Sequence, residues 1–148
     1  MKHFFAPLAL LALPLFTTAQ DLPAPSPLSK VEQRIGLTDI KVEYSRPSAK
    51  GRVIFGDLVP YDEIWRTGAN KSTKISFSGP VTFGGQPIKA GSYSLFAIPH
   101  KDAWEMILNS NPELNGTFDR KEAEDVARLK VDVSSGEPVE TFTIGFAN

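Results

Sequence analysis

The chain has no cysteine, which removes disulfides, thiolate zinc sites, a cysteine nucleophile and the acylated cysteine of a bacterial lipoprotein. Histidine is almost as scarce. Of two histidines, His3 falls in the leader described below, leaving only His100, in a turn expected between Pro99 and Lys101. A multi-histidine metal site within one chain is thereby excluded, and no serine sits in a nucleophile-elbow context that His100 could serve. No glycine-rich phosphate loop joins a strand to a helix, so no cofactor is expected. Charge of one sign is lacking too: 16 Lys and Arg against 17 Asp and Glu give a formal charge of -1. No global field draws this chain to nucleic acid or to an anionic bilayer.

What is present is ordinary for a globular domain, with 41% hydrophobic and 22% charged residues, and a length of 148 fits one core. The first residues read as an address. Met1-Lys2-His3 is a short basic start, Phe4 to Phe16 is apolar and uncharged, and Thr17-Thr18-Ala19 offers small residues for cleavage before Gln20. The apolar run falls short of the roughly 20 residues that span a bilayer, and Pro7 and Pro14 interrupt it. The expectation is a signal peptide over 1–19 and export to the periplasm or the extracellular medium, with no integral membrane segment after cleavage.

Pro23, Pro25 and Pro27 mark a tether over 20–30, and the domain is expected over 31–148. Period-two alternation then predicts strands around Ile40 to Tyr44, Lys74 to Ser78, Val81 to Phe83, Ser92 to Pro99, Trp104 to Leu108, Leu129 to Val133 and Phe142 to Phe146. Gly84-Gly85 signals a hairpin turn, and Pro99 to Asp102 a second. One short helix is expected near 119–127. Roughly eight or nine strands with frequent turns predict an all-β fold, an antiparallel β-sandwich or jelly-roll-like single domain.

One segment departs from this rhythm. Between Tyr44 and Asn70 lie Tyr44, Arg46, Lys50, Arg52, Tyr61, Trp65, Arg66 and Asn70, punctuated by glycine and proline. Guanidinium forks suit carboxylate, sulfate or phosphate, and aromatic faces suit sugars or cations. The competing reading is architectural: Arg46 and Arg66 pair with Glu32, Glu43, Asp57 or Glu63, while Phe55 and Trp65 plug the core. A calcium pattern also occurs, with Asn111, Glu113, Asn115, Gly116, Asp119 and Glu122 at EF-hand spacing. Against it stand the neutral amide at Asn111, the restraint of Pro112, and a preceding strand where a helix is required. A polar loop, with no metal, is the expectation.

Tyr44-Ser45-Arg46-Pro47, Lys50-Gly51-Arg52, Ile54-Phe55-Gly56, Leu58-Val59-Pro60-Tyr61 and Trp65-Arg66-Thr67-Gly68-Ala69-Asn70 follow one another in an order and spacing similar to those of domain-of-unknown-function family 2911. The similarity continues through Ala90 to Pro99, Trp104 to Asn109 and Glu140 to Ile144, and so covers nearly all of Val31 to Phe146. The resemblance implies an exported, β-rich bacterial protein, marks Arg46, Arg52, Arg66 and Asn70 as signature positions, and implies no substrate.

Three readings follow. In the leading one the protein is a non-catalytic module that binds a small acidic or glycan-like ligand through Tyr44, Arg46, Arg52, Tyr61, Trp65, Arg66 and Asn70. In the second the same cluster clamps the substrate of a metal-free hydrolase or lyase, with Asp57, Asp62, Glu63, Tyr44 or Tyr61 as acid or base. In the third the motif is architectural and the module meets a protein partner in the envelope.

Overall fold

The computed structural model describes residues 22–147, so the leader expected over 1–19 lies outside the described residues. Eight strands appear: β1 Leu28–Ile35, β2 Thr38–Ser45, β3 Ala69–Phe77, β4 Val81–Phe83, β5 Gln86–Ile88, β6 Gly91–Pro99, β7 Ala103–Asn109 and β8 Asp125–Asp132. Six form one antiparallel sheet in the order β1-β2-β3-β6-β7-β8, and β4 and β5 form a separate hairpin. Neighbours follow chain order apart from the β4–β5 excursion. The fold is therefore all-β and antiparallel, a meander without jelly-roll crossovers, in which the small hairpin lies on the large sheet in sandwich fashion.

The alternation seen in the sequence sorts the two faces, because cross-strand partners share a face. Val42 pairs Ile75, Ile75 pairs Tyr93, and Leu95 pairs Leu108. That face buries Phe77, Leu95, Leu108 and Ala127, and the hairpin covers it with Val81, Phe83 and Ile88. Gly84 and Gly85, at φ 58° and 81°, make the hairpin turn, and both angles are those of a primed turn that only glycine adopts without strain. On the opposite face Phe96 and Ile107 are sealed beneath Leu114, with Ile64 and Ile98 alongside.

The structure corrects several expectations. β1 begins at Leu28, inside the stretch read as tether. The helical piece shrinks to one 3-10 turn, Glu122–Glu124, because Asp125 already pairs Asn109 as the first residue of β8. Phe142 to Phe146 alternate as a strand would yet form no ladder. Phe142 donates its N–H to the Pro47 carbonyl at 3.0 Å, and the Tyr44 hydroxyl both accepts from Ile144 N–H and donates to the Ile144 carbonyl. The side-chain periodicity records one face turned to the sheet, while the backbone groups find loop and side-chain partners instead of a neighbouring strand. Among the described residues no helix is long and apolar enough to cross a membrane.

Two exposed ion pairs set an acid response. The Arg34 guanidinium beside Asp39 and the Lys74 ammonium beside Glu113 hold each carboxyl below its usual range. A carboxyl depressed in the folded state stabilises fully above its unfolded value, about 4, and loses that contribution as pH falls through the folded one. The urea midpoint is therefore expected to fall as pH drops from about 5 toward 3, and salt at about 1 M should flatten that dependence because both pairs face water. A midpoint independent of pH across that window contradicts this assignment.

Candidate functional site

The stretch from Lys50 to Gly68 runs as irregular chain over one end of the sheet and leads into β3. Trp65 anchors it by bridging Ala97: its N–H donates to the Ala97 carbonyl at 2.7 Å and its carbonyl accepts in return at 2.9 Å. The indole then joins a chain of edge-to-face contacts, with Phe55 at 5.6 Å, Trp104 at 5.9 Å and Phe142 at 5.2 Å between ring centroids. Such pairs contribute roughly 0.5–1.5 kcal/mol each beyond their buried area. Aromatic packing thus fastens both the loop and the C-terminal segment to the same end of the sheet.

Between these pieces opens a cleft of about 430 Å³. Its walls are Pro47, Ile54, Phe55, Leu58, Val59, Trp65, Val139 and Phe142, and its charged groups are Arg52, Arg66 and Glu140. The arginines are held by neutral oxygens. Arg52 donates from Nε to the Ala49 carbonyl at 2.9 Å and from a terminal nitrogen to the Ser48 carbonyl at 2.7 Å. Arg66 donates to the Asn70 carbonyl at 2.9 Å and packs against Gly116. Among the described residues neither forms an ion pair, nor does Arg46, and of the carboxylates read as partners of Arg46 and Arg66, Glu43 pairs with Lys30 and Glu32 with Lys41, while Asp57 and Glu63 form no ion pair. The architectural pairing read from the sequence does not occur.

The backbone around the cleft is strained. Every non-glycine residue with positive φ among the described residues falls between Lys50 and Asn70: Lys50 at 51°, Asp62 at 64°, Thr67 at 55° and Asn70 at 60°. Thr67 is the costliest, because a β-branched residue in the left-handed region is unfavourable by about 1–3 kcal/mol. It is buried, its carbonyl accepts from Thr73 Oγ1 at 2.6 Å, and its own Oγ1 has no partner. Gly68 follows at φ 150°, where a Cβ would stand 2.9 Å from the Ser45 carbonyl oxygen. Asn70 ties the motif down by donating from its amide to Ser45 Oγ at 3.2 Å and to the Ser26 carbonyl at 3.3 Å. The segment is thus fastened on either side of Gly68, close to Arg66, through Thr67 and Asn70.

Of the seven residues singled out from the sequence, Arg52, Trp65 and Arg66 line the cleft, and the other four do not. Tyr44 is only 2% exposed, with its hydroxyl consumed by Ile144. Arg46 donates to the Phe142 carbonyl at 3.1 Å and to Thr143 Oγ1 at 2.9 Å, behind the cleft wall. Tyr61 packs against the Gly56 backbone, and the Asn70 amide is spent on Ser26 and Ser45. The acid–base candidates Asp57, Asp62 and Glu63 lie outside the lining, and Asp62 bonds His100 Nδ1. In the stretch with EF-hand spacing, read as a polar loop, Glu113 is drawn to Lys74 and Lys71, and Glu122 to Arg128. Glu140 and Val139 were missed, along with Ser26: they come from distant parts of the chain, and only the ending from Glu140 to Ile144 carried any signal.

Fold and cleft together define a small antiparallel β domain with a cleft that carries Arg52, Arg66 and Glu140 at one end of its sheet. The chain belongs to the family described as protein of unknown function DUF2911, whose family model matches residues 26–148. No curated protein and no solved structure matches the chain.

Proposed function

We propose that the protein is an exported, non-catalytic module that binds a small anionic ligand with an apolar body in this cleft. The observation that carries the reading is the pair of guanidinium groups, Arg52 and Arg66, in a largely apolar-walled cleft, neither of them ion-paired with a carboxylate among the described residues. Planar donor forks presented this way match carboxylate, sulfate or phosphonate oxygens. The apolar walls favour an aryl or alkyl body over a hydroxyl-rich glycan. Export rests on the leader read over 1–19.

Calorimetric titration with 3-phenylpropionate, its sulfonate counterpart and neutral 3-phenylpropanamide tests the reading. The two anions are expected to bind and the amide to fail. Arg66→Gln is expected to weaken anion binding at least tenfold, about 1.4 kcal/mol, while lowering stability by no more than about 1 kcal/mol for one exposed hydrogen bond. Collapse of the fold in Arg66→Gln, with Arg52→Gln still binding the anions normally, assigns the arginines to architecture and refutes the proposal.

A further inference from the structure

Glu140 is the unexpected member of the cleft. It lines the same space as Arg52 and Arg66 yet pairs with neither. Opposite charges on flexible side chains sharing a small cleft ordinarily meet, since their attraction strengthens where water is reduced. Here each head is anchored away from the other. Glu140 Oε1 accepts the Lys50 N–H at 3.0 Å, and its own carbonyl accepts the Ala49 N–H at 2.7 Å. Lys50 holds φ 51° at that position, so one of the positive-φ residues presents the N–H that the carboxylate accepts. Arg52 is turned back onto Ser48 and Ala49, and Arg66 onto Asn70.

We infer that the ligand is a zwitterion: its anionic end lies on Arg52 and Arg66, its ammonium on Glu140, and its apolar body against Phe55, Trp65 and Phe142. The inference rests on the anion-binding reading above and narrows it. A purely anionic ligand seated there would strip water from Glu140 and return no positive partner, whereas an ammonium replaces the lost hydration with a charge-assisted hydrogen bond. Two of the apolar walls, Leu58 and Val139, are themselves exposed and extend the apolar surface outward. A cleft of about 430 Å³ is roomier than one amino acid requires. An unmodified dipeptide with apolar side chains, carrying both a free amino and a free carboxyl group, is the simplest molecule that satisfies all three features.

Three matched probes decide the matter on the full mature chain: leucyl-phenylalanine, its N-acetyl form without the ammonium, and its C-terminal amide without the carboxylate. The unmodified dipeptide is expected to bind at least tenfold more tightly than either. In Glu140→Gln, where the glutamine oxygen still accepts the Lys50 N–H, the advantage of the dipeptide over its N-acetyl form is expected to shrink to within about twofold. An N-acetyl form that binds wild type as tightly as the dipeptide overturns the zwitterion and leaves the anion reading standing. An amide that binds as tightly as the dipeptide overturns the anion reading itself. Binding of none of the three at millimolar concentration overturns both.

Discussion

Gly68→Ala is expected to destabilise the protein by about 3 kcal/mol, far more than a single added methyl usually costs. Gly68 sits at φ 150°, and a Cβ there would approach the Ser45 carbonyl oxygen to 2.9 Å and Thr73 Oγ1 to 3.3 Å. Neither atom can yield cheaply. Ser45 is paired to Ala69 across the β2–β3 ladder, and Thr73 Oγ1 is committed to the Thr67 carbonyl. The methyl therefore prises β2 from β3 where the cleft floor is made, so binding of 3-phenylpropionate should fall with the melting temperature. The matched control is Gly136→Ala, where a Cβ meets nothing within 4 Å and φ is unexceptional, with an expected change within about 0.5 kcal/mol. Equal melting temperatures for the two variants would falsify the account of Gly68.

Phe96→Ala carries the other large effect, a loss of about 3–5 kcal/mol from a total stability of about 5–15 kcal/mol. The ring is fully buried among Ile107, Leu114, Ile64 and Ile98, and Arg120 stacks over it at 5.7 Å. Removing it opens a cavity between the sheet and the segment that carries Leu114, and the guanidinium loses its aromatic face. The melting temperature is expected to drop by about 10–20 °C. Phe96→Leu keeps most of the volume and should cost about 1 kcal/mol. Thermal melts of the pair settle it: an alanine variant that melts within a few degrees of wild type would mean that Leu114 and Ile64 collapse into the space.

Strands came through in the sequence wherever one face is buried and the other wet, because alternation records burial directly. Ile40 to Tyr44 and Trp104 to Leu108 are such cases. The same signal misled at Phe142 to Phe146, since burial of alternate side chains does not require a ladder partner. β1 hid for the opposite reason: it is an edge strand, largely exposed, with Lys30, Glu32 and Arg34 on its wet side. At Asp119 to Ala127 local helix preference in Glu122-Ala123-Glu124 lost to the pairing of β8 with β7. Within the site, the density of arginine and aromatic residues pointed to Arg52, Trp65 and Arg66, which lie in one segment. Glu140 reaches the cleft through pairing of Thr141 with Ser48, a contact across the whole fold that no local pattern encodes. Tyr44 illustrates the limit of residue type alone, because a phenol suits a ligand site and a buried backbone clasp equally well.

The cleft draws Ser26 from before the first strand and Val139, Glu140 and Phe142 from after the last. No partly folded form of the chain can contain it, because its two sides meet only when the sheet is complete and the final segment is laid down. Occupancy and folding are therefore thermodynamically linked: a ligand held there binds the native state alone, and at a concentration one hundred times its dissociation constant it adds about 2.7 kcal/mol to the unfolding free energy. In a chain without cysteine, such a ligand would act as a removable staple, holding the segments before the first strand and after the last together when it is plentiful and releasing them when it is scarce.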